Sequence, residues 1–452
     1  MARPVNDMLR AAAGRLSMHM PGHKGRAPFE ASSLYALDTT ELPLTDNLHA
    51  PRGAIREAEA LYARSAGAAA ALFLTGGATA GVHTLLQLYA REGDTVLLPR
   101  NAHLSAVNAC IQGGLVPVWI PLRQTPGGFF CVAQEDVLQA LQTHPETKSL
   151  LLTRPDYDGV MMPLEGLAAQ CAARGCRLLV DEAHGAHLPW LYPDQTALAL
   201  GAAGSVQSCH KTLPALTGTA VLLLQDAADV PRARLLLRRS QSSSPSYVLV
   251  RSIDDARAWM DLRGRQRLSR LTRLADRLRR RAAEAGYPDP REALASAGYT
   301  QDPTRLVLRA SQGGEALAEA LAARGIDVEM AEADRVVCIL TAMDTAADLD
   351  RLARALADIP PLPRLQAVPP AALPPLPEAA LTPRQAAMRL AEAMPFPAAA
   401  GRIAAEALGV YPPGIPLAVP GERLTPEILA IMERTLPENR FGTEGDTVLC
   451  VV

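Results

Sequence analysis

Lysine is almost absent from this sequence. Only three of its 45 basic residues are lysines, namely Lys24, Lys148 and Lys211, so arginine supplies nearly all of the positive charge. The 47 acidic residues offset the basic ones and leave a formal net charge of −2. This balance argues against broad binding to nucleic acids or anionic membranes. It also favours a solvated or acid-paired helix face over an RNA-binding patch for the arginine run 277–281, RLRRR.

Long apolar segments are missing as well. No run reaches the roughly 18 apolar residues of a membrane-spanning helix, and the N-terminus has no apolar stretch like that of a secretory signal. The seven cysteines are scattered and odd in number, which fits a reducing compartment better than a disulfide framework. We therefore expect a cytoplasmic protein without membrane spans.

The apolar pattern predicts an α/β protein, and 452 residues suggest about three structural units. Between residue 54 and about residue 225, short apolar runs alternate with helical stretches, which is typical of a mostly parallel sheet covered by helices. Ligands of such sheets bind outside the carboxyl ends of the strands. The strand candidates are 71–75, 95–99, 116–120, 149–153, 177–181 and 220–224.

Composition divides the chain into five predicted segments. An arm rich in turn formers precedes the large domain, and a long arginine-rich helix opens a small α+β domain. A proline-rich stretch then predicts an extended linker. The predicted bounds are 1–53 for the arm, 54–253 for the large domain, 254–360 for the small domain, 361–383 for the linker and 384–452 for a C-terminal module.

The segment SVQSCHKTLPALTG (205–218) carries the first chemical signal. A polar loop after a short apolar strand presents Lys211 beside His210 and near Ser208. A lysine amine condenses with carbonyl compounds, whereas a guanidinium stays protonated and does not. In a chain that otherwise avoids lysine, Lys211 is therefore a candidate Schiff-base residue. A surface lysine or an anion-binding lysine is the alternative.

The segment RLLVDEAHGAH (177–187) has three interpretations. A helicase-type DEAH box requires an upstream G-x-x-x-x-G-K-[ST] loop, which this sequence lacks. A metal site of Asp181, His184 and His187 has suitable ligand types but not the i, i+4 spacing of a helical zinc pair. The third interpretation is a strand-end carboxylate that faces the ring nitrogen of a pyridoxal phosphate (PLP) cofactor.

Two further strand ends favour a cofactor site. In ALFLTGGATAGVHTLLQLYA (71–90), a Gly-rich turn leads into a helix near Thr79, where backbone N–H groups and the helix dipole favour an anion. In LLPRNAHLSAVNA (97–109), His103 follows a strand, and an imidazole there either stacks on a flat ring or is structural. A phosphate turn, an imidazole, a carboxylate and a lysine thus follow one another at the strand ends of one predicted sheet.

These motifs resemble those of the Orn/Lys/Arg decarboxylase family, whose members are PLP enzymes of fold type I, the aspartate-aminotransferase fold. The resemblance covers nearly the whole chain and implies a mostly parallel central sheet, a small α+β domain and a C-terminal α+β module. It is to the short form of the family, which lacks the N-terminal wing domain. The matching segments are MPGHKGR (20–26), TELPLTDNLHAPRGAIREAE (40–59), PRNAHLSA (99–106), VDEAHGAH (180–187), QSCHKTLPALTG (207–218), SSSPSYVLVRSID (242–254) and YPPGIPLAVPGE (411–422).

The resemblance also implies a role for each matching residue. Lys211 would form the Schiff base, Asp181 would pair with the pyridinium nitrogen, and His103 would stack on the ring. His184 would lie against the cofactor or the substrate carboxylate, and Lys211 or His210 would return a proton to Cα. The phosphate would be held by Gly77, Ala78, Thr79, Ser208 and His210. No metal is expected.

Two positions depart from the family pattern. The phosphate turn resembles N-G-T-[ST]-[ST] in the family but reads Gly-Gly-Ala-Thr-Ala here, so that only Thr79 keeps a hydroxyl. Each missing charge-assisted hydrogen bond would cost roughly 1.5–3 kcal/mol of cofactor affinity. Asp156 stands where the family usually has Thr or Ser.

The implied reaction is decarboxylation of arginine, lysine or ornithine to CO₂ and an amine. A carboxylate should then receive the distal cation of the substrate, and Glu41, Asp46 and Glu422 are candidates by motif position. One alternative is an aminotransferase-like PLP enzyme, in which Arg305 or Arg309 would bind the α-carboxylate. Another is a non-catalytic PLP-binding protein. Because fold type I pockets form between subunits, the resemblance implies at least a homodimer, with the N-terminal arm reaching into the partner.

Overall fold

A computed structural model of the chain describes residues 16–19, 22, 24, 26, 39–41, 45–359, 373–411 and 414–452. Most of the predicted N-terminal arm lies outside the described residues, and so does the first half of the predicted proline-rich linker. None of the helices in the described part of the chain combines the length and hydropathy that a membrane crossing needs. The seven cysteines are all described, and all are buried free thiols.

A seven-stranded sheet forms the centre of the molecule. Its strands lie in the spatial order Ala70–Leu74, Ala220–Leu224, Gly204–Gln207, Arg177–Asp181, Ser149–Thr153, Thr95–Pro99 and Val116–Ile120. All but one of these strands run in the same direction. This arrangement confirms the predicted fold class.

The exception is Ala220–Leu224, which is antiparallel to both of its neighbours. Its five residues are all buried, so its apolar run shows a strand buried on both faces without showing its direction. The other five strand predictions agree with the structure to within one residue. The short strand Gly204–Gln207 is not one of the six candidates above, but it matches the short apolar strand that the segment 205–218 predicts before Lys211.

Helices cover both faces of the sheet because successive strand side chains point to opposite sides. Leu150 and Leu152 pack into one apolar cluster, and Leu151 packs into the cluster on the other face. The helices of this region are Ala54–Ala66, Gly77–Tyr89, Leu104–Gly113, Gln134–Thr143, Leu167–Ala172, Leu188–Leu191, Cys209–Thr212 and Val230–Ser240.

The predicted arginine-rich helix starts earlier than expected and is not uniform. The helix Tyr247–Trp259 continues through a π-helical turn, Met260–Gly264, into Arg265–Glu284. Arg279 is buried; it contacts Asp289 and donates to the carbonyl oxygens of Pro303 and Arg305 at 2.8 Å. Part of the arginine run is therefore paired inside the protein.

A smaller sheet follows in the chain. It contains Arg305–Arg309, Arg335–Ile339 and Met330–Glu332 in that spatial order, with antiparallel pairing. Near it, the strand Leu16–Met18 from the N-terminal segment pairs in parallel with Ile326–Val328. The helices of this region are Arg291–Ser296, Gly314–Ala322 and Ala346–Asp358.

The C-terminal module contains two three-stranded sheets. One consists of Ala391–Pro395, Thr447–Val451 and Thr443–Glu444, and the other of Pro416–Ala418, Leu408–Val410 and Arg440–Phe441. Its helices are Pro383–Ala387, Phe396–Ala399 and Pro426–Arg434, and the side chain of Thr382 caps the first of them. A buried ion pair at 2.7 Å, between Arg100 and Glu422, joins this module to the end of a central strand.

Candidate active site

A cavity of about 540 Å³ lies at the carboxyl ends of the parallel strands. Its volume is within the range of small-molecule sites. The structure brings together in its wall all nine residues that the sequence predicted for the cofactor site: Gly77, Ala78, Thr79, His103, Asp181, His184, Ser208, His210 and Lys211. These residues lie at or just after the carboxyl ends of four strands of one sheet, which is why residues so distant in sequence meet.

Lys211 lies in a short helix, Cys209–Thr212, which follows closely after the strand Gly204–Gln207. Its Nζ is 3.0 Å from Nε2 of His184. Burial lowers the pKa of Lys211 from its usual range, and the nearby Asp181 partly opposes this effect. The amine is therefore closer to its reactive neutral form than a lysine in water.

His184 lies at the centre of a tightly packed group. Nη2 of Arg305 is 3.1 Å from its Nδ1, and the ring of Tyr157 packs against it at a centroid distance of 4.9 Å. Burial, followed by the positive charges of Lys211 and Arg305, holds the pKa of His184 well below its usual range. His184 is accordingly neutral at physiological pH.

Asp181 ends one central strand and His103 follows another, with the strand Ser149–Thr153 between the two. Asp181 is 5% exposed, and its Oδ1 accepts a hydrogen bond from the N–H of Ala183 at 3.1 Å. The ring of His103 is exposed to the cavity, and its Nδ1 accepts from the N–H of Ser105 at 3.1 Å. The Ser105 contact fixes the imidazole at the N-cap of the helix Leu104–Gly113.

The predicted anion turn is the N-terminus of the helix Gly77–Tyr89. Gly77 has φ +69°, a conformation that favours glycine, and its N–H donates to the carbonyl oxygen of Gly218 at 2.9 Å. Beside this turn, Nδ1 of His210 lies 3.2 Å from Oγ of Ser208 and 3.1 Å from the carbonyl oxygen of Thr219. Because a carbonyl oxygen only accepts, this contact indicates that Nδ1 of His210 carries a proton.

The other charged residues of the DEAHGAH segment have structural partners. Nε2 of His187 contacts Oδ1 of Asp302 at 3.2 Å, and neither residue lines the cavity. Glu182 is buried and accepts from Gln207 at 2.8 Å, and burial raises its pKa to about 7. Within the described ranges, no group of three His, Cys, Asp or Glu side chains is arranged to hold a metal ion.

The cavity also has an acidic side that the sequence analysis did not identify. Asp156, Asp158 and Glu332 line it together with Arg335. Burial, followed by the neighbouring Asp158, raises the pKa of Asp156 well above its usual range, and the same two causes raise the pKa of Glu332 to about 7. The departure from the family pattern at Asp156 was a signal for this cluster. No sequence signal pointed to Glu332.

The three carboxylates that we predicted for the substrate cation are not among the described residues that line the cavity. Glu422 is 1% exposed and is paired with Arg100. Asp46 accepts from the N–H groups of Arg52, Gly53 and Ile55 and so stabilises the start of a helix. Of the described residues, neither these two nor Glu41 lines the cavity. We predicted these carboxylates from their positions in the motifs. The structure shows that Asp46 and Glu422 have structural partners at those positions.

The donor set of the cavity fits PLP. An enclosed amine, a buried carboxylate and an imidazole at the cavity surface match its aldehyde, its ring nitrogen and its ring face. The N-terminus of the helix Gly77–Tyr89 fits its phosphate. The missing hydroxyls at Ala78 and Ala80 leave this phosphate site with fewer donors than the family pattern provides.

Comparisons with known proteins agree with this chemistry. The profile of the Orn/Lys/Arg decarboxylase major domain matches residues 8–293, and that of the family's C-terminal domain matches residues 367–435. An arginine decarboxylase of Bacillus subtilis is 32% identical over 96% of this chain and 93% of its own length. One from Halalkalibacterium halodurans is 31% identical over 94% of this chain and 91% of its own.

Solved structures give the same fold. Lysine decarboxylase A from Pseudomonas aeruginosa superposes with a TM-score of 0.79 at 20% identity, covering 92% of this chain and 74% of that protein. The constitutive lysine decarboxylase of E. coli superposes with a TM-score of 0.77 at 19% identity, covering 88% and 74%. The expected fold type and cofactor are thus confirmed, and the chain belongs to the Orn/Lys/Arg decarboxylase family of PLP-dependent amino-acid decarboxylases.

Proposed function

We propose that this protein decarboxylates a basic L-amino acid, with arginine as the first candidate. The observation that carries the proposal is a single cavity that combines the amine of Lys211 with the carboxylates of Asp156, Asp158 and Glu332. A reactive amine suits the α-amino end of a PLP reaction, and an acidic wall suits a distal ammonium or guanidinium group. The relatives named arginine decarboxylase, at 31–32% identity, support arginine.

The residues of the cavity would each hold a different part of the cofactor. Lys211 would hold the cofactor covalently, and Asp181 would keep its ring nitrogen protonated. His103 would lie against the ring, and the phosphate would be held by the turn Gly77–Thr79 with Ser208 and His210. When bound, PLP supplies the electron sink for the loss of CO₂.

Two basic groups are available for proton transfer in the cavity. Lys211 Nζ and His184 Nε2 are 3.0 Å apart and share a hydrogen bond. We propose that Lys211 returns the proton to Cα after CO₂ leaves, with His184 as the neighbour that holds its amine in place. His210, our other candidate, uses its Nδ1 proton on the carbonyl oxygen of Thr219.

The acidic side of the cavity would receive the distal cation. Oδ1 of Asp158 and Oε1 of Glu332 are buried and have no hydrogen-bond partner within the described residues. Unpaired buried carboxylate oxygens are costly, and a guanidinium group would satisfy several of them at once. Asp156, present in place of the family's Thr or Ser, adds a third carboxyl group.

A substrate panel tests this function. Purified protein with PLP is incubated with arginine, lysine, ornithine and a neutral amino acid, and CO₂ and amine products are measured together. We expect CO₂ and amine in equal amounts, with arginine the best substrate. Transfer of the amino group to an α-keto acid without CO₂ would instead identify an aminotransferase. That reading gains no support from Arg305 and Arg309, since neither lines the cavity in the described part of the chain.

We also propose that the protein acts as a homodimer. The cavity wall includes Tyr411 from the C-terminal module, and its side chain is 49% exposed. Large exposed aromatic groups next to a ligand site are typical of surfaces that a second subunit covers. Light scattering of the eluted protein should give about twice the mass of 48.1 kDa. A monomer with full activity would contradict the proposal.

A further inference from the structure

We propose that Arg305 is a positioning residue that fixes the proton of His184 on Nε2 and thereby holds Lys211 as a neutral amine. Two consecutive contacts that link three residues carry this inference. Arg305 Nη2 lies 3.1 Å from His184 Nδ1, and His184 Nε2 lies 3.0 Å from Lys211 Nζ. The inference rests on the proposed role of Lys211 as the cofactor-binding amine, and its test does not measure decarboxylation.

The direction of the first contact follows from the chemistry of arginine. A guanidinium group has five N–H donors, no acceptor, and stays protonated in proteins. The contact with Arg305 is therefore an N–H donation, and Nδ1 of His184 must supply the lone pair. A neutral imidazole has one bare nitrogen and one N–H, so the proton of His184 lies on Nε2.

The second contact then determines the state of the lysine. Nε2–H of His184 is a donor, and its partner at 3.0 Å must accept. An ammonium group has three donors and no lone pair, whereas a neutral amine has one lone pair. Only the neutral form of Lys211 completes the chain of hydrogen bonds from Arg305 through His184. The neutral amine is also the form that attacks a carbonyl carbon.

Packing holds the three hydrogen-bonded side chains, Arg305, His184 and Lys211, in place. Arg305 is fully buried and begins the strand Arg305–Arg309, which pairs along its length with Arg335–Ile339. Gly159, at φ +81°, lies so close that a Cβ there would be 2.5 Å from the Cβ of Arg305. On the other side, the hydroxyl of Tyr157 donates to Glu329 at 2.8 Å, which holds the tyrosine ring against His184.

Neighbouring charges shift the pKa of Lys211 in both directions. Burial and Arg305 lower the pKa of Lys211, whereas Asp181 and Glu329 raise it. Around His184, burial lowers its pKa, and a positive charge on any of four neighbours would lower it further; these neighbours are Lys211, Arg305, His103 and His210. A test must therefore separate the proposed hydrogen-bond relay from the simple repulsion between Arg305 and Lys211.

The scarcity of lysine makes the test direct. The full-length chain without cofactor is treated with a trace of acetic anhydride at a series of pH values, and the acetylation of each lysine is followed by mass spectrometry. Lys211, Lys24 and Lys148 are the only three lysines, and the exposed Lys148 is an internal standard. We expect the acetylation of Lys211 to reach its midpoint at a lower pH than the acetylation of Lys148, because burial lowers the pKa of Lys211. Equal values would overturn the proposal.

A double-mutant cycle separates the relay from charge repulsion. Arg305→Met should raise the pKa of Lys211 in the wild-type background, because Nδ1 of His184 can then carry the proton. In a His184→Phe background the same change should have a much smaller effect. If Arg305→Met raises the pKa equally in both backgrounds, charge alone acts and the relay does not exist. Arg305→Lys, which keeps a donor and the charge, is the matched control.

A second measurement keeps the proposal testable if the Arg305 variants do not fold. In the wild-type chain labelled with ¹⁵N-histidine, the spectrum reports which ring nitrogen of each histidine carries the proton. The signal of His184 is assigned by its loss in His184→Phe. We expect a protonated Nε2 and a bare Nδ1. A proton on Nδ1 would overturn the proposal while leaving the decarboxylase function intact.

Discussion

The chain encloses two of its three lysines, and the two regions that hold them differ in what meets the amine. In the N-terminal segment near the small sheet, Nζ of Lys24 donates to the carbonyl oxygens of His19 and Ile339, each at 2.7 Å. In the cavity, Nζ of Lys211 meets an imidazole nitrogen. Burial lowers the pKa of both lysines. Burial alone therefore does not distinguish a structural lysine from a reactive one.

The partners make the distinction. Carbonyl oxygens use the N–H groups of Lys24, and the nearby carboxylates of Asp344 and Glu329 favour its charged form. Lys24 is thus a cation that ties the N-terminal segment to the strand Arg335–Ile339. Lys211 is next to an open cavity whose wall provides an N–H donor for its lone pair. The contacts of Lys24 are those of a structural lysine, and the contacts of Lys211 fit the reactive role that we propose for it.

We expect the largest difference between the variants Lys211→Met and Lys24→Met, each made separately. Lys211→Met should lose decarboxylation and the visible absorbance of the bound cofactor, because no other amine lines the described part of the cavity. Lys24→Met should retain both signals if it folds, and Lys148→Met is the surface control. Retained absorbance in Lys211→Met, or its loss in Lys24→Met alone, would reverse the assignment.

The acidic wall provides the next largest effect. Asp158→Asn should lower kcat/KM for arginine about 10- to 100-fold, since a lost charge-assisted hydrogen bond costs about 1.5–3 kcal/mol. The slow turnover of an amino acid with a neutral side chain of similar length should change little. An equal loss on both substrates would show that Asp158 shapes the cavity rather than binding the cation. Asp156→Thr, which restores the family residue, should have a smaller effect of the same kind.

The stability of the Lys24→Met variant tests the structural role of Lys24. Lys24→Met should lower the free energy of unfolding by about 1–3 kcal/mol, because it leaves two enclosed carbonyl oxygens without a donor. Urea denaturation of the variant and of Lys148→Met provides the comparison. Unchanged stability in Lys24→Met would mean that its hydrogen bonds in the folded state are no better than those with water.

The smallest expected effect is a pH dependence. The folded state lowers the pKa of Lys24, so the unfolded chain binds more protons than the folded one between the two pKa values. Stability then rises with pH in that window, and the cost of burying the charge is fully present below it. The advantage of wild type over Lys24→Met in urea denaturation should therefore grow as the pH rises from the lowered pKa of the folded state towards the ordinary lysine pKa of about 10.4. A constant difference would mean that Lys24 titrates as it does in water.

The grouping of the candidate cofactor residues in one cavity was predictable from the sequence, because these residues lie at or after the ends of recognisable strands. Carboxyl ends of parallel strands meet at one edge of a sheet, so His103, Asp181 and Lys211 come together once the strands are identified. The motifs also matched a known family in order. The direction of the strand Ala220–Leu224 was not predictable, because a fully buried run has no side that indicates direction.

The acidic side was not predictable because it depends on packing between distant elements. Glu332 belongs to a strand of the small sheet, and no local pattern says that this sheet faces the cavity. Asp158 lies in a loop, and the path of a loop depends on its tertiary contacts. The role proposed for Arg305 depends on its contact with His184, which is distant in sequence. The prediction of Glu422 was wrong for the same reason, since its partner Arg100 is 322 residues away.

The ion pair between Arg100 and Glu422 has a consequence for how the chain can be divided. Arg100 also donates to the carbonyl oxygens of Pro416 and Leu417, and it precedes His103 by only three residues. Removal of one partner from such a buried pair costs about 3–5 kcal/mol. A fragment that ends at residue 359 would leave this guanidinium without its acceptors, right beside the imidazole of the cofactor site. The two segments recognised by separate family profiles should therefore melt as one cooperative unit and resist expression as independent halves.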